Sequence, residues 1–154
     1  MISYRLADRE KDFVFARQVH HRAYRDVVTK QFGNWNETMQ DRFFADEWWT
    51  LPFKIILLDD APIGVLSVRS VNGYLFIHEI QLLPEFQGQG VGTEILQEQI
   101  TEAKQLALPL KLKVLRKNRA QELYKRMGFV PYKETDIDIF MKFEASFSSG
   151  GDTR

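Results

Sequence analysis

Gly88, Gly90 and Gly92 alternate through five positions of the stretch LLPEFQGQGVGTEIL, residues 82–96, immediately before a run with helical spacing. Glycine in regular structure costs up to about 1 kcal/mol relative to alanine, so three together mark a backbone that must turn sharply or let something come close. The preceding segment, VNGYLFIHEIQLLP, reads as a strand opened by an Asn-Gly turn, and the following one as a helix. A strand, a glycine turn and a helix in that order aim several unpaired backbone N–H groups at one point, where the helix dipole also favours negative charge. Phosphate is the natural ligand for such a place, with the amides of Gln87, Gly88, Gln89, Gly90, Val91 and Gly92 and the Thr93 hydroxyl as donors. A strained turn with no ligand is the alternative.

The rest of the chain supplies the context. Residues Ile2 to Leu6 alternate as a short strand, and Asp8 is placed to cap a long helix in which Phe13, Ala16, Val19, Ala23 and Val27 keep helical spacing up to the Gly33 stop. A second helix is expected from Asn36, with Phe43, Phe44 and Trp48 as its stripe. FKIILLD and IGVLSVRS form a hairpin about the turn formers Asp59 to Pro62. After the glycine turn come its helix, the strand PLKLKVLR, the helix RAQELYKRMGF stopped at Gly128, and a last strand around TDIDIFMKF. This order predicts an α/β (α+β) fold, one domain over residues 2–145 with a mixed, largely antiparallel central sheet flanked by helices. The polar tail 146–154 is expected to be frayed.

The identity of the phosphate ligand is narrowed by what the turn lacks. A triphosphate-binding loop requires Lys and then Ser or Thr after its last glycine, whereas here Gly92 is followed by Thr93 and Glu94. A dinucleotide fingerprint requires glycine where Thr93 stands. Instead, Gln87, Gly90 and Gly92 occupy the defining positions of a Q/R-x-x-G-x-G/A loop, and NRAQELYKRMGF places Asn118, Leu123, Tyr124, Gly128 and Phe129 at a second motif downstream. With both motifs in order, the chain resembles the GNAT superfamily of acyl-CoA-dependent N-acyltransferases over residues 2–143.

That resemblance implies acetyl-CoA, or a longer acyl-CoA, as co-substrate and direct attack by an amine, so no protein nucleophile is needed. A lysine-like amine with a pKa near 10.4 is almost wholly protonated at pH 7, and baring its lone pair costs roughly 4.6 kcal/mol, which calls for a base or a water chain. On an extended strand Leu75, Ile77, Glu79, Gln81 and Leu83 share one face, and Tyr74, Phe76, His78, Ile80 and Leu82 the other. Glu79 is the first candidate base because a carboxylate beside Gln81 on an apolar face must meet water, a partner or a substrate. An ion pair with a neighbouring Lys or Arg would also account for it, and His78 is the rival on the opposite face, with a bulge near Pro84 able to exchange the two. The resemblance makes Tyr124 the acid that returns a proton to the departing thiolate. It also gives the backbone of Leu82 and Leu83 to the pantetheine arm, and Asn118 either to the cofactor or to a helix cap.

The first two helices and their loop shape the acceptor pocket in that superfamily, so Tyr24, Trp35, Glu37 and Gln81 are the candidates for a small-molecule or peptide amine. Trp48 and Trp49 cannot both face inward on one helix, which leaves one for a pocket rim or for contact with a second copy in a homodimer. His20 and His21 lie about 100° apart on a helix and lack the i, i+4 spacing of a metal pair, so no metal is expected. Lys and Arg together number 21, as do Asp and Glu, which leaves no field to attract nucleic acid or an anionic membrane. The absence of cysteine excludes disulfides and thiolate sites, and no apolar run is long enough to span a bilayer, so the expectation is a cytoplasmic protein. A noncatalytic module that binds or senses acyl-CoA would keep the glycine turn without turnover.

Overall fold

The computed structural model describes residues 1–144, so the polar tail lies outside the described residues. The elements are β1 (Ile2–Leu6), α1 (Phe13–Phe32), α2 (Glu37–Thr50), β2 (Lys54–Leu58), β3 (Ala61–Val71), β4 (Tyr74–Leu82), α3 (Val91–Leu106), β5 (Leu110–Leu115), α4 (Ala120–Arg126), β6 (Val130–Glu134) and β7 (Asp138–Phe143). The strands order β1-β2-β3-β4-β5-β7-β6 in one sheet, in which β4 and β5 run parallel while the β1/β2, β2/β3, β5/β7 and β6/β7 neighbours are antiparallel. The mixed, mostly antiparallel α/β fold read from the sequence is the one present. Two compact units divide the chain, residues 1–68 with 79–92 and residues 69–78 with 93 onward, and both β3 and β4 pass from one to the other.

In the first unit, Phe44 and Trp48 of α2 are fully buried with Ala16 and Val19 of α1 and with Phe53, Ile55 and Val65. The rings of Trp48 and Phe53 lie 4.9 Å apart, and the Trp48 indole donates to the Arg9 carbonyl at 2.8 Å. Truncating either aromatic to alanine removes on the order of 3–5 kcal/mol. Trp49 is exposed, as the helical step from Trp48 requires. Phe43 is exposed too and leaves the expected stripe. Asn36 caps α2 through its side chain, accepting from Met39 N–H at 2.9 Å.

Asp8 does not open α1. Its carboxylate holds a separate turn by accepting from the amides of Glu10 and Lys11, and the helix starts at Phe13, where Asp12 turns back onto Arg5 and the Asp8 amide. The buried face of α1 is Ala16, Val19, His20, His21 and Val28, so the two histidines replace Ala23 and Val27, which are only half-buried. The β2–β3 hairpin turns on Asp59 and Asp60 alone, both with positive φ (50° and 69°), the type I′ geometry that matches strand twist.

In the second unit, β5 pairs with β7 along six registers and β7 with β6. One final strand was expected from the sequence; β6 is the addition. Every residue of β6 is exposed and Pro131 lies within it, as an edge strand tolerates, so no alternation marks it.

Candidate functional site

The turn after β4 is built by local hydrogen bonds. A single 3₁₀ turn, Pro84–Phe86, follows the strand, with Phe86 N–H donating to the Leu83 carbonyl and Gln87 N–H to the Pro84 carbonyl. The side chain of Gln87 then donates to the Leu82 carbonyl at 2.9 Å, and that of Gln89 to the Glu85 carbonyl at 2.9 Å. Both glutamines brace the loop with their amide nitrogens. Arg22 of α1 adds an ion pair to Glu85 at 2.9 Å.

The three glycines have different reasons to be glycine. Gly88 and Gly90 have φ of 74° and 86°, the left-handed region that side chains rarely adopt, whereas Gly92 lies in the first turn of α3 without a positive φ. A Cβ built on any of the three would meet nothing within 4 Å. Gly92 is therefore required neither by conformation nor by crowding within the chain. The turn leads into a helix of 16 residues, whose first amides have no intrahelical partner.

On β4 the burial alternates without interruption from Tyr74 to Gln81. Leu75, Ile77, Glu79 and Gln81 form the buried face, with Glu79 and Gln81 at 6% and 5% exposure. His78 stays on the other, half-buried face, so no bulge exchanges it with Glu79. Burial, followed by the charges of Arg69 and Lys113, lowers the His78 pKa. Both amide atoms of Gln81 are buried with no hydrogen-bond partner among the described residues. The Leu83 N–H donates to the Ile63 carbonyl at 2.9 Å. Gly64 on β3, which nothing in the sequence singled out, brings the neighbouring backbone close: a Cβ there would lie 2.2 Å from the Gln81 carbonyl oxygen.

The helices α1 and α2 bring Tyr24, Trp35 and Glu37 into one network with residues not anticipated from sequence, Arg25 and Asp41. Glu37 accepts from the Trp35 indole at 2.7 Å and from Arg25 at 3.2 Å, while the Arg25 guanidinium lies 5.0 Å from the Trp35 ring centre. His21 Nε2 lies 2.6 Å from Asp41 Oδ1, and its Nδ1 3.0 Å from the Nδ1 of His20. His21 Nε2 and Asp41 Oδ1 share one hydrogen bond and the two Nδ1 atoms a second, so His21 links His20 to Asp41. His20 also sets its ring edge-on to Tyr24 at 5.1 Å. Burial, and then the neighbouring His21, drive its pKa down to about 3.

His21, Glu37 and Asp41 place their donor atoms within 4.8 Å of one another, a grouping that spacing along one helix could not reveal. Internal partners already engage all three. The i, i+4 pair Glu37 and Asp41 was the visible signal, and only its facing histidine on α1 gives it meaning.

In the second unit Tyr124 is buried on α4, its ring 5.9 Å from Phe129. Asn118 accepts from the Ala120 amide at 2.9 Å with its side-chain oxygen, a turn one residue ahead of Arg119, the N-cap of α4, whose own side chain makes no capping bond. Gly128 has φ of 104° and sits where a Cβ would come within 3.0 Å of the Phe143 ring. Thr93 is exposed in the first turn of α3. No helix among the described residues is long and apolar enough to cross a membrane.

Comparison with known proteins was made on sequence and on fold. No curated protein matches the chain in sequence. Its fold is similar to that of the PaiA N-acetyltransferase from Thermoplasma acidophilum in complex with coenzyme A, at 17% identity and a TM-score of 0.76 over 94% of this chain and 99% of that one. It is similar also to the ribosomal-protein-S18-alanine N-acetyltransferase from Escherichia coli, at 19% identity and a TM-score of 0.68 over the whole of both chains. An acetyltransferase from Thermus thermophilus aligns at 15% identity with a TM-score of 0.67, over 92% of this chain and 96% of that one. The model of the acetyltransferase (GNAT) family matches residues 19–129, well over half of the sequence, and the chain belongs to that family.

Proposed function

We propose that the chain is an N-acetyltransferase that moves the acetyl group of acetyl-CoA onto a primary amine of a small molecule or a peptide, by direct attack with both substrates bound. The observation that carries this reading is Gly92: it is a glycine that nothing among the described residues requires, in the first turn of a long helix, beside two glycines in left-handed conformation. A pyrophosphate against the amides of Gly88 to Thr93 accounts for all three, since each missing Cβ lets an oxygen approach an N–H and the helix dipole favours the charge. The coenzyme A in the T. acidophilum relative agrees with this ligand.

In the reaction the amine nitrogen bonds to the thioester carbonyl carbon, the C–S bond breaks, and CoA leaves as a thiol. Glu79 accepts the amine's proton, directly or through water, and so offsets part of the roughly 4.6 kcal/mol needed to bare the lone pair. Tyr124 gives or shares a proton with the leaving sulfur; a thiol near pKa 8.5 is a good leaving group beside a phenol near 10, so hydrogen bonding serves as well as full transfer. Backbone N–H donors near the end of β4 polarise the thioester carbonyl, with Leu82 favoured for that role because the Leu83 N–H donates to the Ile63 carbonyl. Asn118 holds the entry to α4 through its bond to the Ala120 amide, next to the cofactor side. Tyr24, Trp35 and Glu37 line the acceptor side, and the cytoplasm is the proposed location.

Thiol release decides the matter. Purified protein with acetyl-CoA and a panel of amines is expected to liberate CoA, and Tyr124→Phe and Glu79→Gln are each expected to lower kcat by about 10²-fold or more. Wild-type turnover in both variants would refute these roles. CoA binding without thiol release for any amine would favour a noncatalytic acyl-CoA module, and no binding at millimolar CoA would refute both.

A further inference from the structure

We propose that the Gln81 carboxamide reads the acceptor, and that the acceptor is the α-amino end of a peptide whose own amide group pairs with it. This rests on the acyl-transfer reading above and narrows its substrate.

Gln81 is 5% exposed, and neither its side-chain oxygen nor its nitrogen has a hydrogen-bond partner among the described residues. Each unmet polar group of this kind costs about 1–3 kcal/mol, and folded proteins retain few of them. Three less buried glutamines, Gln87, Gln89 and Gln121, each donate to a backbone carbonyl within 2.9 Å. Leu75 and Ile77 on the same face show that an apolar residue suits the strand. Gly64 lets β3 lie close against the Gln81 carbonyl, so the backbone is tightly packed at this point. Retaining an orphaned amide in a strand that would accept leucine is the pattern of stability given up for binding.

The chemistry of the group defines what it takes. A carboxamide offers one acceptor oxygen and an N–H donor in one plane, and a peptide group offers the complementary pair. A simple alkylamine would meet the oxygen alone, and a hydroxyl carries its donor and acceptor on one atom rather than as the spaced pair of a peptide group. Glu79 and Gln81 lie on one face two residues apart, roughly 6.6 Å along the strand. An extended peptide with its amine at Glu79 carries a peptide group past Gln81 within its first two residues. Both amide atoms are closed to solvent, so the contact forms as the acceptor displaces the side chains that cover them. Pantetheine also carries amides, so the experiment separates the donor from the acceptor as the source.

The test uses the full chain with saturating acetyl-CoA and three acceptors: trialaninamide, alaninol, and Nα-acetyl-lysinamide, whose only amine is at the ε position. Wild type is expected to favour trialaninamide in kcat/KM, and Gln81→Leu to shrink its preference over alaninol by about 10- to 100-fold, the loss of one or two hydrogen bonds. The CoA dissociation constant from calorimetry should stay within about twofold, and the urea midpoint should hold or rise as the orphaned amide disappears. Gln81→Met provides a second unbranched apolar variant should leucine disturb the strand. The inference is overturned if wild type uses alaninol or the lysine ε-amine as well as trialaninamide, or if both variants leave the preference intact. A tenfold loss of CoA affinity would also overturn it, by placing the amide contact on the donor. Bound CoA with no turnover of any amine would refute the acyl-transfer reading itself.

Discussion

Lowering the pH from 7 to 5 places a calculable load on His20. In the folded chain its ring is held neutral, with a pKa of about 3, by burial against Tyr24 and Phe44 and by His21 beside it, against an opposing pull from Asp41; unfolded it titrates near 6.5. The folded pKa is depressed, so between those values the unfolded chain binds the extra proton. His20's contribution is therefore whole above pH 6.5 and is lost as the pH falls toward 3. One pKa unit corresponds to about 1.36 kcal/mol, so about 2 kcal/mol should go between pH 7 and 5, a large share of a typical total of roughly 5–15 kcal/mol. Urea unfolding followed by tryptophan fluorescence at both pH values measures it, with His20→Asn as reference. That variant keeps a side-chain amide able to donate to or accept from His21 Nδ1 and cannot titrate. It should be less stable at both pH values yet lose about 2 kcal/mol less than wild type on acidification, since groups far from His20 contribute alike to both proteins. Equal losses in the two proteins, to within about 0.5 kcal/mol, would refute the reasoning.

Gly92→Ala should separate ligand from fold: calorimetry is expected to show CoA affinity down at least tenfold, while the thermal midpoint holds or rises, since a helical alanine is worth up to about 1 kcal/mol over glycine. Gly64→Ala should behave in the opposite way, costing on the order of 3 kcal/mol or preventing folding, because its Cβ would lie 2.2 Å from the Gln81 carbonyl oxygen; an unchanged urea midpoint would contradict this close approach. Asp12→Asn should lose about 1–2 kcal/mol at pH 7, a figure reduced for the half-exposed Arg5 partner. Asp12's pKa is lowered chiefly by its hydrogen bonds to Arg5, so the difference between wild type and variant should fade only as the pH falls below the ordinary carboxylate range, which an acid titration of stability would show.

Sequence patterns read well wherever a residue's environment follows from its own element. The face shared by Glu79 and Gln81 was legible because β4 alternates strictly, with period two, from Tyr74 to Gln81. The same held for the Asn36 cap and for the inward Trp48 beside the outward Trp49. Reading failed where the partner belongs to another element. The helical stripe read from the sequence left out His20 and His21, yet both are buried, paired with each other and, through His21, with Asp41 from α2. The exposed edge strand β6 has no buried face and hence no period to detect.

Gly88, Gly90 and Gly92 declared themselves in the sequence, since three glycines between a strand and a helix have few other uses, and with the downstream Tyr124 motif they were enough to indicate the family. The tertiary structure decided what each glycine is for. A positive φ explains Gly88 and Gly90, open space isolates Gly92 as a residue kept for something outside the chain, and Gly64 owes its identity to a carbonyl on the neighbouring strand. Only there, too, does Gln81 emerge as an amide without a partner among the described residues. A local pattern can report backbone conformation and periodicity, but whether a buried group is satisfied depends on atoms that folding brings from elsewhere in the chain.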